Sequence, residues 1–297
     1  MNKNIAIKED STLVLSKAKS LINITNKILN TKNNLLDNTW TVRLWRWADK
    51  NNIPDLYYDE DLGIPEVDNL KSPRGIPRKE ENLFALTSLA MMSKNLNNLP
   101  IEIANLTNLE ELNIPFNKFN DIPESVYNLI NLIRLNIRRN TIYENGIKII
   151  SEKICNLQKL EKLELHDNYL EVLPESITKL FNLKELGLSN NNLVQLPSNI
   201  GQMVNLKSLD IDGNNLKNLP DSITQLINLE KLDLYDNPNL ILTIPQKEWL
   251  LELQSSDENC IGIDANLLDR DIGYKNPLQK DEKWNLIFSI DDNLNED

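Results

Sequence analysis

Several chemistries are excluded by what the 297-residue chain has too little of. There are two cysteines, Cys155 and Cys260, 105 residues apart, which offer neither a disulfide framework nor a metal-binding spacing. There are eight glycines, and the closest pair, Gly262 and Gly273, is eleven residues apart. Neither GxGxxG nor a phosphate-binding P-loop can occur at that spacing. One histidine, His166, excludes multi-histidine metal sites, and no Ser or Cys stands with it in a nucleophile motif. A non-enzymatic protein without cofactor or metal is therefore expected. Basic residues are outnumbered 32 to 44, a net charge of −12, which disfavours nucleic acid and anionic membrane as partners. No apolar run approaches a membrane span. Lys and Asn interrupt every such run in the first thirty residues, so no export signal is read there and a cytoplasmic location is expected.

What the chain has is a repeated phrase. Leu163-x-Leu165-x-x-Asn168-x-Leu170-x-x-Leu173-Pro174 returns 23 residues later as Leu186-x-Leu188-x-x-Asn191-x-Leu193-x-x-Leu196-Pro197. A fixed period of this size sets the architecture before local propensity does. In Leu-x-Leu the two apolar side chains point to one side of a short strand. The Asn amide carries two donors and an acceptor on a short stem, so it can satisfy buried backbone in the turn that follows. One unit cannot bury its own leucines, but neighbours stacked on both sides can.

Extended along the chain, the phrase gives strand anchors at Leu89, Leu112, Leu135, Leu163, Leu186, Leu209 and Leu232. The spacings are 23 except for one of 28 between Leu135 and Leu163. Asn117, Asn140, Asn168, Asn191, Asn214 and Asn237 form a structural ladder, with Lys94 at the first, degenerate position. Ile261-x-Ile263-x-x-Asn266-x-Leu268 repeats the phrase once more, 29 residues after Leu232.

LPESITKLFNLKELGLSNNNLVQLP resembles the leucine-rich repeat, of the 23-residue kind found in bacterial proteins and in plant intracellular Ras-group-related proteins. The resemblance implies an α/β solenoid, with a curved parallel β-sheet on the concave face and short helices or extended turns on the convex face. The unit near 136–162 lacks Leu-Pro after Asn140 and resembles the 28-residue ribonuclease-inhibitor-like repeat, which implies an α-helix from about Gly146 to Cys155.

Three regions follow from this phase. Residues 1–75 are expected to be a helical N-terminal cap: one helix from about Ser11 to Asn30, and another from about Asp37 that places Trp40, Leu44 and Trp47 on one face. Residues 76–268 are the array, about eight units. Residues 269–297 are a C-terminal cap and acidic tail, in which Trp284, Leu286, Phe288 and Ile290 alternate like a strand. KEWLLEL, before the last strand, reads as helical.

With no catalytic motif, function is expected on the surface, as a protein-interaction module that binds another protein on the concave face. The alternative is a bacterial secreted effector acting on a host protein. A monomer is expected, with no nucleic acid or membrane partner. Residues beside the strand leucines should line the concave face. They run from apolar (Met92, Phe116) through basic (Arg134, Arg138, Arg139, Lys162, then His166) to acidic (Asp210, Asp212, Asp233, Asp236), with Tyr235 among the last. Met92, Phe116 and Tyr235 are costly to leave exposed without use.

Overall fold

The computed structural model describes residues 21, 22, 24, 39–55, 74–140, 146–256 and 261–262. Every strand anchor predicted from the period sits in a three-residue strand: β1 (Ser88–Ala90), β2 (Glu111–Asn113), β3 (Arg134–Asn136), β4 (Lys162–Glu164), β5 (Glu185–Gly187), β6 (Ser208–Asp210) and β7 (Lys231–Asp233). The phrase beginning at Ile261 supplies a shorter strand, β8 (Ile261–Gly262). They pair in parallel and in chain order as one open eight-stranded sheet. Leucine meets leucine across it, from Leu89↔Leu112 to Leu209↔Leu232, and Ile261 takes the last place opposite Leu232. The register repeats because each coil contributes the same Leu-x-Leu, and a slip of one residue would turn every leucine out to solvent.

One face of the sheet is filled. The anchors and their partners at Ile114, Ile137, Leu165, Leu188, Ile211 and Leu234 are at most 2% exposed. On the far side, single turns of 3-10 helix at Ile101–Asn105, Val126–Asn128, Glu152–Asn156, Glu175–Lys179, Ile200–Gln202 and Asp221–Gln225 close each coil. Their inward residues (Ile103, Val126, Ile154, Ile177, Ile200, Ile223) are fully buried. This is a leucine-rich-repeat solenoid: a stack of thin coils, each sealed by its neighbours.

The asparagine ladder is made as expected. Asn191 Nδ2 donates to Leu188 O (2.9 Å) and Ser189 O (3.1 Å) in its own coil and to Leu165 O (3.0 Å) in the preceding one. Its Oδ1 accepts from Leu170 N at 3.0 Å. Asn214 and Asn237 repeat the pattern, with Oδ1 accepting from Leu193 N and Leu216 N. A second ladder runs along the opposite corner. Asn108, Asn131, Asn182, Asn205 and Asn228 each donate to a carbonyl of the preceding coil, from Phe84 O to Val204 O, at 2.7–2.8 Å.

The long unit corrects the expectation of an α-helix. Residues 146–150 are not helical, and Glu152–Asn156 is one 3-10 turn that leaves Cys155 half-buried. The backbone explains this. Ile147 O and Lys148 O accept from Tyr169 N (3.1 Å) and Glu171 N (3.0 Å) in the next coil, so they are not free for an i+4 partner. Ile147 and Ile150 are buried where Leu170 and Leu173 lie one coil on, and Ser151 stands where other coils have proline. Its φ and ψ, −65° and 147°, match the −69° and 145° of Pro174. The unit is therefore an ordinary 23-residue coil with five residues, 141–145, inserted after Asn140.

At the N-terminal end, α1 (Trp40–Lys50) buries Thr41, Leu44 and Ala48. Thr39 caps it, accepting from Val42 N. Arg43 Nε pairs with Glu102 at 2.6 Å, and Trp45 Nε1 donates to Pro77 O at 2.8 Å, tying α1 to the first coil. Thr41 donates to Glu80 at the start of α2 (Glu80–Phe84). The first expected helix falls mostly outside the described residues; Leu21, Ile22 and Ile24 are helical and exposed. After β7, KEWLLEL lies within α3 (Ile244–Ser256), which buries Trp249 and Leu250. Asn266, Leu268, Cys260 and the alternating stretch 284–290 lie outside the described residues. No helix among the described residues is long and apolar enough to cross a membrane.

Candidate binding surface on the open sheet face

The side chains between and just after the strand leucines point away from the core and share the open face of the sheet. Neighbouring strands are about 4.8 Å apart, so residues in register on adjacent coils touch. The basic group predicted from the sequence is assembled there, and each described pair neutralises part of it. Arg134 Nη2 lies 3.0 Å from Glu111, Arg139 Nε lies 3.1 Å from Asp167, and Lys162 Nζ lies 2.7 Å from Glu164 and 3.2 Å from Glu185. Burial alone would lower the Lys162 ammonium, but Glu164 and Glu185 outweigh it and hold its pKa above the ordinary value. Arg134 is exposed, whereas Arg138, Arg139 and Lys162 are half-buried.

Asp210, Asp212 and Asp233 lie together on β6, β7 and the bend after β6. Burial first, then Asp212 and Asp233, push Asp210 up to about 8. Asp210 Oδ1 also accepts from Asp212 N at 3.4 Å, and Asp233 Oδ1 from Tyr235 N at 3.1 Å. Each carboxylate thus also closes the bend after its own strand. Asn136 does the same for Arg138 N in the third coil. Asp236 is exposed at the end of this row.

Met92, Phe116 and Tyr235 are half-buried rather than exposed, against the expectation. For Phe116 the cause is backbone geometry. The residue before each ladder asparagine sits at positive φ: Phe116 (56°), Arg139 (54°), Asp167 (52°), Asn190 (52°), Gly213 (58°) and Asp236 (51°). In the third coil this brings the Arg139 guanidinium over the Phe116 ring, 5.3 Å from its centre. Gly213 has the conformation at no steric cost, and a side chain there would press on Asn190 Oδ1.

His166 reaches across β5. Its Nδ1 lies 2.6 Å from Ser189 Oγ and 3.7 Å from Asp210 Oδ2. The ring occupies the space over Gly187, where a Cβ would collide with it. Burial lowers the imidazole pKa, against the pull of Glu164, Asp167 and Asp212. Gly187 was legible as the missing side chain of its column; that a histidine fills the gap was not.

A second surface was missed. The residue preceding each asparagine of the second ladder is apolar and exposed in four coils: Ile130 (59%), Phe181 (51%), Val204 (45%) and Ile227 (77%). The signal was present in Leu-Ile-Asn-Leu, Leu-Phe-Asn-Leu and Met-Val-Asn-Leu, where the second residue breaks the inward spacing of its neighbours.

Residues 159–180 match the family model described as Leucine Rich Repeat, and residues 175–259 match the model described as Leucine-rich repeat region. No curated protein matches the chain. Among solved structures, it aligns with a leucine-rich repeat protein of Leptospira interrogans at 26% identity, covering 60% of this chain and 55% of that one, with a TM-score of 0.44. The internalin InlF of Listeria monocytogenes aligns at 25% identity, covering 62% and 49%, with a TM-score of 0.46. The leucine-rich repeat domain of the type III effector XopL aligns at 24% identity, covering 65% and 73%, with a TM-score of 0.46. The chain spans about half the length of the first two. The in-register Leu-x-Leu strands, the buried asparagine ladder and the two matched stretches, which together span residues 159–259, are those of leucine-rich repeats.

Proposed function

We propose that the chain is a non-enzymatic interaction module that binds another protein on the open, concave face of its sheet. The observation that carries this reading is the backbone at Phe116 and Arg139. The left-handed conformation suits the Gly, Asn and Asp that occupy it in four other coils (Ser93 has it in the first), whereas a bulky side chain there costs on the order of 1 kcal/mol or more. Two adjacent coils carry that cost, and it brings an aromatic ring and a guanidinium together on the face. Aromatic and Arg side chains are the ones that dominate protein interfaces. The partner expected is a protein with an acidic segment set against Arg134, Arg138 and Arg139. A basic segment would lie against Asp210, Asp212, Asp233 and Asp236, so that opposite charges fix one register.

The test compares partner capture by the wild type with capture by Phe116→Asn and Arg139→Asn. Both replacements relieve the strained backbone, so the urea midpoint should hold or rise while partner recovery falls at least tenfold. Exchanging the exposed Lys207 and Glu230, a 2.5 Å pair away from this face, should leave recovery unchanged. Recovery lost with the Lys207–Glu230 exchange and kept with the two asparagine variants would place the interface elsewhere.

A further inference from the structure

His166 is held in one protonation state by a group that can only donate. Its Nδ1 faces two donors on the next coil, the Ser189 backbone N–H at 3.3 Å and the Ser189 hydroxyl at 2.6 Å. A backbone amide never accepts, so Nδ1 carries its lone pair and the neutral ring has its proton on Nε2. Asp210 Oδ2 lies 3.7 Å from the same nitrogen, one strand further on. A proton added to Nδ1 would oppose the Ser189 amide and find an acceptor oxygen of Asp210 instead, on a carboxyl that is itself still protonated there because burial and its Asp neighbours push it up to about 8. The geometry offers Nδ1 one partner in each state, on two different coils.

We propose that His166 is a proton-operated latch on the sheet face. Neutral, it ties its own coil to the next through Ser189; protonated, it releases Ser189 and pairs with Asp210. The surrounding charges come from every neighbouring coil. Glu164 and Asp167 flank His166 in its own coil, Arg138 lies on the preceding one, Asp212 stands beside Asp210, and Asp233 follows on β7. Carboxylates dominate this set, so the ionised ring has counter-charges within reach, while burial delays ionisation into mildly acidic solution. The latch changes both the charge and the hydrogen-bond donors at the middle of the face. Its consequence for a partner rests on the binding reading above, but the latch itself is a property of the isolated protein and is measured without one.

His166 is the sole histidine, so imidazole nitrogen NMR of the full chain reports one ring. At pH 8 the spectrum should show the Nε2–H tautomer with a bare, hydrogen-bonded Nδ1, a measurement that needs no variant. On acidification the ring should titrate with a midpoint below the ordinary 6.5. Two substitutions should then move that midpoint in opposite directions. Ser189→Ala removes a donor to the neutral ring and should raise it. Asp210→Ala removes the acceptor of the charged ring and should lower it. An Nδ1–H tautomer at pH 8, or a midpoint indifferent to Asp210→Ala, overturns the latch. Partner affinity that ignores pH while the midpoints move as stated would sink the binding reading and leave the latch standing.

Discussion

Tyr127→Phe tests how the long coil replaces its proline. In five coils the turn into the 3-10 segment begins at Pro100, Pro123, Pro174, Pro197 or Pro220, whose carbonyl accepts from the residue three ahead at 2.9–3.1 Å. Proline has no N–H at this position, so nothing there needs a partner. Ser151 makes the same turn, accepting from Ile154 N at 3.0 Å, but it brings an amide. Tyr127, 1% exposed on the preceding coil, places its hydroxyl 3.3 Å from that amide and accepts from it. Burial holds the phenol above its ordinary pKa, so it stays neutral. Removing the hydroxyl strands an amide at a half-buried residue, which puts the cost at about 1–2 kcal/mol. For a chain of this size that is a fall in Tm of roughly 2–8 °C. The second arm is Ser151→Pro. The φ of −65° already suits proline, so combined with Tyr127→Phe it removes the stranded donor and should recover most of the loss. The cost of each change alone and of both together, from urea titrations, gives a coupling of at least about 0.5 kcal/mol if the two residues act as one. Strict additivity, or a Tyr127→Phe midpoint equal to wild type, would refute the reasoning.

Two further predictions follow the same accounting. Asn191→Ala should cost about 1–3 kcal/mol, because it strands Leu170 N and removes one of two donors from each of three carbonyls, Leu165 O, Leu188 O and Ser189 O; Asn168→Ala should cost less, since its buried Oδ1 has no hydrogen-bond partner among the described residues. Equal losses in urea denaturation would show that the acceptor half of the rung contributes nothing. Asp210 predicts a pH slope. The folded state keeps a proton to about 8 that the unfolded chain releases near 3.8, so this contribution is full below about pH 4 and is lost as pH rises through 8. His166, lowered by burial, acts the other way and only below 6.5, so the window from pH 7 to 9 isolates Asp210. Asp210→Asn should therefore lose less stability than wild type between pH 7 and 9, and parallel urea midpoints would contradict the shift.

The parts of the fold legible in the sequence were those with one partner type at one spacing. Leu163, Leu186 and Asn191 could be placed because apolar alternation and a buried amide each have a single solution in a stacked coil. Ile261 was legible for the same reason, despite a 29-residue gap. The misreading of 146–155 had a physical source. A missing Leu-Pro and a run of isoleucines fit an α-helix locally, but Tyr169 and Glu171 of the next coil claim the carbonyls first. The columns of the candidate face were legible from register alone. The depth of Phe116 was not, because it depends on a left-handed residue that no side-chain pattern announces. Nor was the reach of His166 over Gly187, which requires knowing that two residues 21 apart in sequence share one space.

The five-residue insertion is tolerated because of where it enters. A coil is fixed at three places: the strand by Leu135 and Leu163 in register, the far turn by Ile154, and the corner between them by the asparagine rung. Residues 141–145 come in after Asn140, downstream of the strand and upstream of the turn. Neither set of buried contacts has to move. Beside the insertion, Ile137 N still donates to Glu164 O at 3.0 Å and Arg139 N to His166 O at 2.9 Å, so the sheet is continuous between the two coils. The rung takes the strain. In other coils Oδ1 accepts from the amide two residues after the preceding asparagine, as Asn191 does from Leu170. In the long coil the residue equivalent to Leu170 is Ile147, and the buried Oδ1 of Asn168 has no hydrogen-bond partner among the described residues. Lengthening a loop costs little closure entropy, so the loss of that regular acceptor bond is the main penalty. It falls between the coils carrying Arg138 and His166, next to the candidate face yet without disturbing the register that holds it.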